Sequence, residues 1–246
     1  MGTQPAERAR LRYFDCRSRG QALRFALTGF GIDFEDERVA IEDLQAFRER
    51  AADVDFGGPF ASLPLLDWDG DRIAQTLAIA GYLEDRIGAG SRLGDDAIRE
   101  RAFLAMVASA AHLDTQVPYS QLLWQPADLG EDALRGSAAQ LLAHLDRKLA
   151  QLESLLVQRD VPLFGGRAPG LADYFVYESL SRGRAVFGAA FTRTLTSRPR
   201  LQALEAAIEG RPGIADLLAR RDVPFAITAS PSERALRARI AALGFD

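Results

Sequence analysis

The sequence predicts an α+β chain of two domains, a βαβ–ββα N-terminal domain followed by an all-α helical C-terminal domain. Three observations carry this. Two short strand-like runs flank an amphipathic helix at about 19–30. Residues 57–75 then read as strand, tight turn, strand, with Asp69-Gly70 as the hairpin signal. Past residue 94 the strand signals disappear, and Ala, Leu and Arg recur with a 3.6-residue apolar period.

Taken in order, residues 11–15 and 34–41 are expected as strands around the 19–30 helix, where Gly29 and Gly31 mark its end. Parallel pairing of these two strands follows from the βαβ order. A short helix is expected from Ile41 to about Arg50, and a Gly/Pro-rich loop over Asp53–Phe60. The ββα that follows gives the order of a thioredoxin-like layer. Its closing helix is entered through Gln75-Thr76. The composition shift near residue 90 sets the expected domains at 10–90 and 95–246. Further helices are expected near 95–117, 119–126, 131–157, 171–187, 199–208 and 212–220, with a tail helix over 233–243. Pro118 should end or bend the first of them.

Composition narrows the function. The 246 residues are 48% hydrophobic and 26% charged, ordinary values for a soluble globular protein. A net charge of −4 argues against a nucleic-acid surface. The single Cys16 precludes an internal disulfide and favours a reducing compartment. Met1–Arg10 lacks the apolar core of a signal peptide, and no run approaches the ~20 apolar residues of a membrane span. A cytoplasmic protein with no membrane partner is expected. The two histidines, His112 and His144, lie far apart without HExxH or Cys pairs, so no metal site is expected. Neither a G-x-S-x-G elbow, a GxGxxG nor a P-loop is present.

The informative stretch is Gly57–Ile87. Pro64 opens a strand after an apolar residue and is a candidate cis peptide. Such a bond turns the Leu63 backbone outward, where it could pair with an extended ligand. The helix that begins near Thr76 offers free N–H groups to a carboxylate. Together these describe a pocket for a small acidic peptide.

With the run Leu77-Ala78-Ile79-Ala80-Gly81-Tyr82-Leu83 after Gln75-Thr76, this stretch resembles the glutathione-binding half of the cytosolic glutathione transferases. Leu11–Arg24 resembles the first strand and helix of the tyrosine-type members. Arg198-Pro199-Arg200-Leu201 and Gly210-Arg211-Pro212-Gly213-Ile214 resemble their C-terminal helices. The pattern is nearest to the sigma-like members and spans roughly residues 10–220.

The resemblance implies a glutathione transferase, in which Tyr13 donates a hydrogen bond to the glutathione sulfur. Lowering a thiol pKa from near 8.5 by about two units needs roughly 2.7 kcal/mol. A charge-assisted hydrogen bond of about 1.5–3 kcal/mol supplies most of that. Gln75 and Thr76 resemble the residues that hold the γ-glutamyl carboxylate, and Leu63 the backbone partner beside Ser62 and Pro64. Arg19 looks like the contact to the glycyl carboxylate. The thiolate is expected to attack a small hydrophobic electrophile by substitution, addition or isomerisation, as in detoxification. Gln116, Tyr119 and Trp124 are the candidate lining of that second pocket. The family also implies a homodimer; the position nearest by count to its partner-subunit acid is Ser109.

Each residue has a plainer reading beside it. Tyr13 is also an ordinary strand aromatic, Thr76 a helix N-cap, Arg19 a solvated helix-start residue, and Phe47 core. Phe47 and Arg50 fall near positions where relatives carry Trp and Lys. Asp173 resembles half of a capping box whose hydroxyl partner is replaced by Gly170. Two other functions stay open at this point. One is a thiol transferase or reductase using Cys16; the other is a non-catalytic binding or scaffold protein that keeps the fold.

Overall fold

The computed structural model describes residues 8–40, 44–87, 95–219 and 231–245. A four-stranded mixed sheet has the order β2-β1-β3-β4, built from β1 (Ala9–Phe14), β2 (Phe34–Val39), β3 (Leu65–Trp68) and β4 (Asp71–Ala74). β1 pairs parallel with β2, placing Leu11 opposite Asp36, and antiparallel with β3, placing Leu11 opposite Leu66. Being central and covered on both faces, β1 is almost wholly buried. β2, at the edge, reads Phe-Glu-Asp-Glu-Arg-Val; such charge discourages pairing with another chain. Helix α1 (Gln21–Gly29) makes the crossover between β1 and β2. The expected parallel βαβ unit and the Asp69-Gly70 hairpin are both present.

Helix α2 (Leu44–Ala51) forms, and the first residues expected in it, 41–43, lie outside the described ones. Asp53–Phe60 is not the loop expected from its glycines. It folds into a short helix, α3 (Val54–Gly57), and one 3-10 turn (Gly58–Phe60). Two interactions offset its poor propensity. The Asp53 carboxylate accepts the Asp55 N–H at 2.9 Å. The buried Arg12 guanidinium donates to the Asp55 and Phe56 carbonyls at 2.8 Å each and lies 5.0 Å from the Phe56 ring centroid. Helix α4 (Thr76–Ile87) completes the layer. The expected junction near residue 90 lies outside the described residues.

Beyond it, among the described residues, all regular structure is helical, apart from one isolated bridge between Leu163 and Gly166. Helix α5 (Asp95–Ser109) runs through a π-helical segment (Ala110–Gln116) into α6 (Val117–Leu123). Pro118 therefore does not end the helix. The Val117 N–H reaches back five residues to the His112 carbonyl, the mark of a π turn. Proline has no N–H to offer the Asp114 carbonyl, and His144 Nε2 takes that oxygen at 2.6 Å.

Helices α7 (Glu131–Arg159), α8 (Leu171–Phe187), α10 (Pro199–Glu209), α11 (Ile214–Ala219) and α12 (Pro231–Ala242) follow the expected pattern. A seven-residue helix, α9 (Ala189–Leu195), was not anticipated between 187 and 199, because Gly188 reads as a break. Helix α8 is the axis of the molecule, buried on nearly every side. It packs against α1, with Phe25 edge-on to Tyr177 at 5.0 Å. Gly29 is what allows the close approach there: a Cβ on it would lie 2.1 Å from the Tyr174 hydroxyl.

The N-terminal layer is tied to α8 by buried charge. Glu178 is fully buried and pairs with both Arg17 at 2.5 Å and Arg182 at 2.7 Å. Arg182 also donates to the carbonyls of Ser18 at 3.1 Å and Gln116 at 3.4 Å. Breaking such a pair from one side costs about 3–5 kcal/mol, since the remaining charge is left buried.

Candidate functional site

The site grows from the end of β1. Tyr13 is completely buried, its ring held between two neighbours. A Cβ on Gly20 would stand 2.3 Å from Tyr13 Cδ1, so only glycine fits against that face. The Arg24 guanidinium carbon lies 5.7 Å from the ring centroid. Arg24 is itself fixed by the carbonyls of Phe14 at 3.0 Å and Cys16 at 2.8 Å and by an ion pair with Asp36. The Arg19 N–H donates to Tyr13 Oη at 3.1 Å. Burial pushes the phenol well above its ordinary pKa, against hydrogen bonds from Ser18 and the Arg19 backbone. The hydroxyl therefore stays protonated. With its oxygen already accepting from Arg19, it keeps its O–H for donation.

Around it the chain brings together the other sequence-predicted residues. The Leu63-Pro64 peptide is cis, as the sequence suggests. Leu63 packs in one cluster with Tyr13, Phe14, Cys16, Leu65 and Ala74. Ser62 is half-buried, and its N–H goes to the Gly57 carbonyl at 2.9 Å. Gln75 is exposed and has φ +73°, a left-handed conformation that glutamine seldom adopts. Its carbonyl accepts the Ile79 N–H, which makes Gln75, not Thr76, the residue that leads into α4. Thr76 is therefore not the N-cap. It is the first helical residue, is buried, and aims its hydroxyl at the Arg19 carbonyl across 3.4 Å. One peptide unit later than the Tyr13 contact, Arg19 thus joins the start of α4 to the catalytic-candidate tyrosine.

A cavity of about 210 Å³ opens beside this unit, lined by Ser18, Arg19, His112, Gln116, Trp124 and Arg182 among others. Two of the three residues expected in a second pocket, Gln116 and Trp124, line it. Tyr119 does not. It is fully buried, and its hydroxyl donates to the Ser179 carbonyl at 3.3 Å. Gln116, Val117, Ser120, Gln121 and Trp124 share one face at α-helical spacing, and Tyr119 lies off that face, toward α8. Sequence reasoning missed His112, Glu178 and Arg182. The four-residue spacing of His112 and Gln116 was the available signal, since it places both on one helix face.

Cys16 is buried, and desolvation pushes its thiol up to about 12 despite the Arg24 and Arg182 charges. That is the environment of an inert thiol and not of a nucleophile. Phe47 stacks edge-on with Phe14 at 4.7 Å, and the Arg50 guanidinium lies 3.7 Å from the Phe56 centroid. Ser109 faces a separate apolar cleft between α4 and α5. Asp173 realises its half of the capping device, accepting the N–H groups of Phe164, Gly165 and Gly170 at 2.8 Å each. Among the described residues, no three His, Cys, Asp or Glu side chains converge as a metal site, and no helix is long and apolar enough to cross a membrane.

Comparison with known proteins matches this architecture. The family model for the glutathione S-transferase C-terminal domain covers residues 113–221. Glutathione S-transferase 1 of Ascaris suum is 36% identical over 83 residues, 34% of this chain and 37% of that protein. The chain thus spans little more than a third of that relative. Hematopoietic prostaglandin D synthase of Gallus gallus is 27% identical over 204 residues, covering 80% of this chain and 92% of its own. Among solved structures, the Onchocerca volvulus Pi-class glutathione S-transferase superposes with a TM-score of 0.68 at 23% identity, over 88% of this chain and 94% of that one, a likeness of fold. Sheet order, helical half, cis Leu63-Pro64 and these matches agree: residues 113–221 carry a glutathione S-transferase C-terminal domain, and the chain is similar to the glutathione transferases in fold along most of its length.

Proposed function

We propose that the protein is a tyrosine-type, sigma-like glutathione transferase that uses Tyr13 to hold glutathione as its thiolate. The observation that carries this reading is the buried, protonated Tyr13 hydroxyl, its oxygen already occupied by the Arg19 N–H. A sulfur anion placed against it receives the remaining O–H.

Glutathione lies extended along the Leu63 backbone, between Ser62 and Pro64. Its glutamyl end meets Gln75 and the N-terminus of α4 at Thr76, where helix N–H groups favour a carboxylate. Arg19 supplies the positive charge for the glycyl end. The electrophile enters the cavity lined by Gln116 and Trp124, and the thiolate attacks it there. Burial of Cys16 weighs against the thiol-transferase alternative. The reading places the domain boundary near residue 90, giving a glutathione domain over 10–90 and a helical domain over 95–246. It carries with it a homodimer acting in the cytoplasm.

The test is calorimetric titration with glutathione, followed by thiolate absorbance of the bound peptide against pH. Saturable binding with a thiol pKa about two units below the free value of roughly 8.5 is expected. Binding without a pKa change would leave a transferase fold that does not activate the thiol.

A further inference from the structure

His112 sits on the wall of the cavity, only 4% exposed, with its ring edge-on to Phe175 at 5.8 Å. The orientation of its two nitrogens is set by a chain of contacts. Gln116 Nε2 donates to the Phe175 carbonyl at 3.1 Å, which turns Gln116 Oε1 toward His112 Nδ1 at 2.9 Å. Oε1 can only accept, so Nδ1 carries the hydrogen and Nε2 carries the lone pair of a neutral ring. Burial, with the Arg19 and Arg182 charges nearby, holds the imidazole pKa below its ordinary value. Arg182 is itself neutralised by Glu178. Nε2 makes no hydrogen bond among the described residues.

An apolar molecule filling this cavity would strip water from that lone pair and return nothing. From this we infer that the cavity selects an electrophile carrying a hydroxyl or N–H donor, which His112 Nε2 accepts. Gln116 is the positioning residue that fixes the tautomer. The inference rests on the glutathione transferase reading and narrows its substrate from a merely hydrophobic electrophile to one that also carries a hydrogen-bond donor.

An isosteric pair tests it: 2-hydroxyethyl acrylate and n-propyl acrylate. With either, the thiolate pair forms the C–S bond at the β carbon, the C=C pair moves to the enolate, and the enolate takes a proton from water. The readout is the ratio of the two kcat/KM values, each divided by its uncatalysed rate constant with glutathione. Wild type is expected to prefer the hydroxylated ester by about tenfold, the worth of one hydrogen bond. In His112→Phe, which keeps a flat ring against Phe175, the ratio is expected near one, with glutathione affinity by calorimetry reporting that the variant is folded. A second measurement needs no variant: the 15N resonance of Nε2 in wild type should shift with the hydroxylated glutathione conjugate and stay with the propyl one. Equal turnover of the two esters with glutathione bound overturns the inference alone, as does a preference that survives in His112→Phe. Failure of glutathione to bind wild type overturns the transferase reading and this inference with it.

Discussion

Tyr13 and Arg19 are joined by one hydrogen bond, in which the Arg19 N–H donates to the phenol oxygen across 3.1 Å. The carbonyl of the same residue accepts the Thr76 hydroxyl at 3.4 Å. A single backbone residue therefore spans the two ends of the proposed peptide site. The tyrosine cannot rotate away without breaking its bond to a residue whose carbonyl also meets the start of α4. The phenol oxygen is held in place before any ligand arrives, and preorganised donors of this kind lose little when an anion forms.

Removing the hydroxyl isolates its contribution. Tyr13→Phe is expected to raise the bound thiol pKa by about one to two units, because a charge-assisted bond of about 1.5–3 kcal/mol is lost. Turnover near neutral pH should fall roughly ten- to a hundredfold, with glutathione affinity changed far less. Absorbance titration of bound glutathione decides it; an unchanged pKa would transfer the role to Ser18 or backbone donors.

Gly20→Ala probes the same ring from its other side. The new Cβ meets Tyr13 Cδ1 at 2.3 Å, so either the ring or the start of α1 has to move. Overpacking of this sort costs about 1–3 kcal/mol of stability. The displaced hydroxyl should also raise the bound thiol pKa toward the Tyr13→Phe value. A stability loss with no pKa change would mean that α1 yields and the tyrosine stays in place.

Cys16 gives the opposite expectation. Buried, with its thiol pushed up to about 12, it should resist a disulfide reagent at pH 8 until the protein is denatured. Cys16→Ala should keep the glutathione thiol pKa of wild type. Rapid labelling of the native protein together with loss of turnover in the variant would revive the thiol-transferase alternative.

Much of this was legible in the sequence because its signals are local. Asp69-Gly70 and Pro64 specify a hairpin and its entry through backbone chemistry alone, and the α7 and α8 stripes follow from helical periodicity. What escaped depends on partners distant in the chain. Asp53–Phe60 is helical because Arg12, over forty residues earlier, holds the carbonyls of Asp55 and Phe56. Tyr119 turns away from the cavity because its face of α6 packs toward α8, where its hydroxyl meets the Ser179 carbonyl sixty residues later. His112 looked like an isolated histidine, for its meaning lies in Gln116 and in the Phe175 carbonyl on another helix.

Glu178 joins the loop after β1 to α8 and offers a stability test away from the tyrosine. Glu178→Gln leaves Arg17 and Arg182 facing each other without the buried carboxylate between them. A loss of about 3–5 kcal/mol is expected, read as a lower urea midpoint with an unchanged slope. A loss below about 1 kcal/mol would place the pair among those that contribute little net stability.

Asp173 predicts how stability varies with pH. Burial lifts its carboxyl to about 6, although the backbone N–H groups of Phe164, Gly165 and Gly170 pull the other way. Glu84, whose own carboxyl is raised by burial, adds repulsion. An acid raised in the folded state binds its proton more tightly there than in the unfolded chain. Its contribution is therefore complete below the ordinary value near 4 and is lost as pH climbs to about 6. A shift of about two units corresponds to about 3 kcal/mol across that window. Asp173→Asn should flatten this part of the curve. It should also lower stability at pH 7 by about 1–3 kcal/mol, because an amide nitrogen replaces one of the accepting oxygens. Urea midpoints of both proteins between pH 4 and pH 7 measure the difference. Parallel curves would mean that the three N–H donors keep Asp173 ionised throughout and that the slope belongs to Glu84.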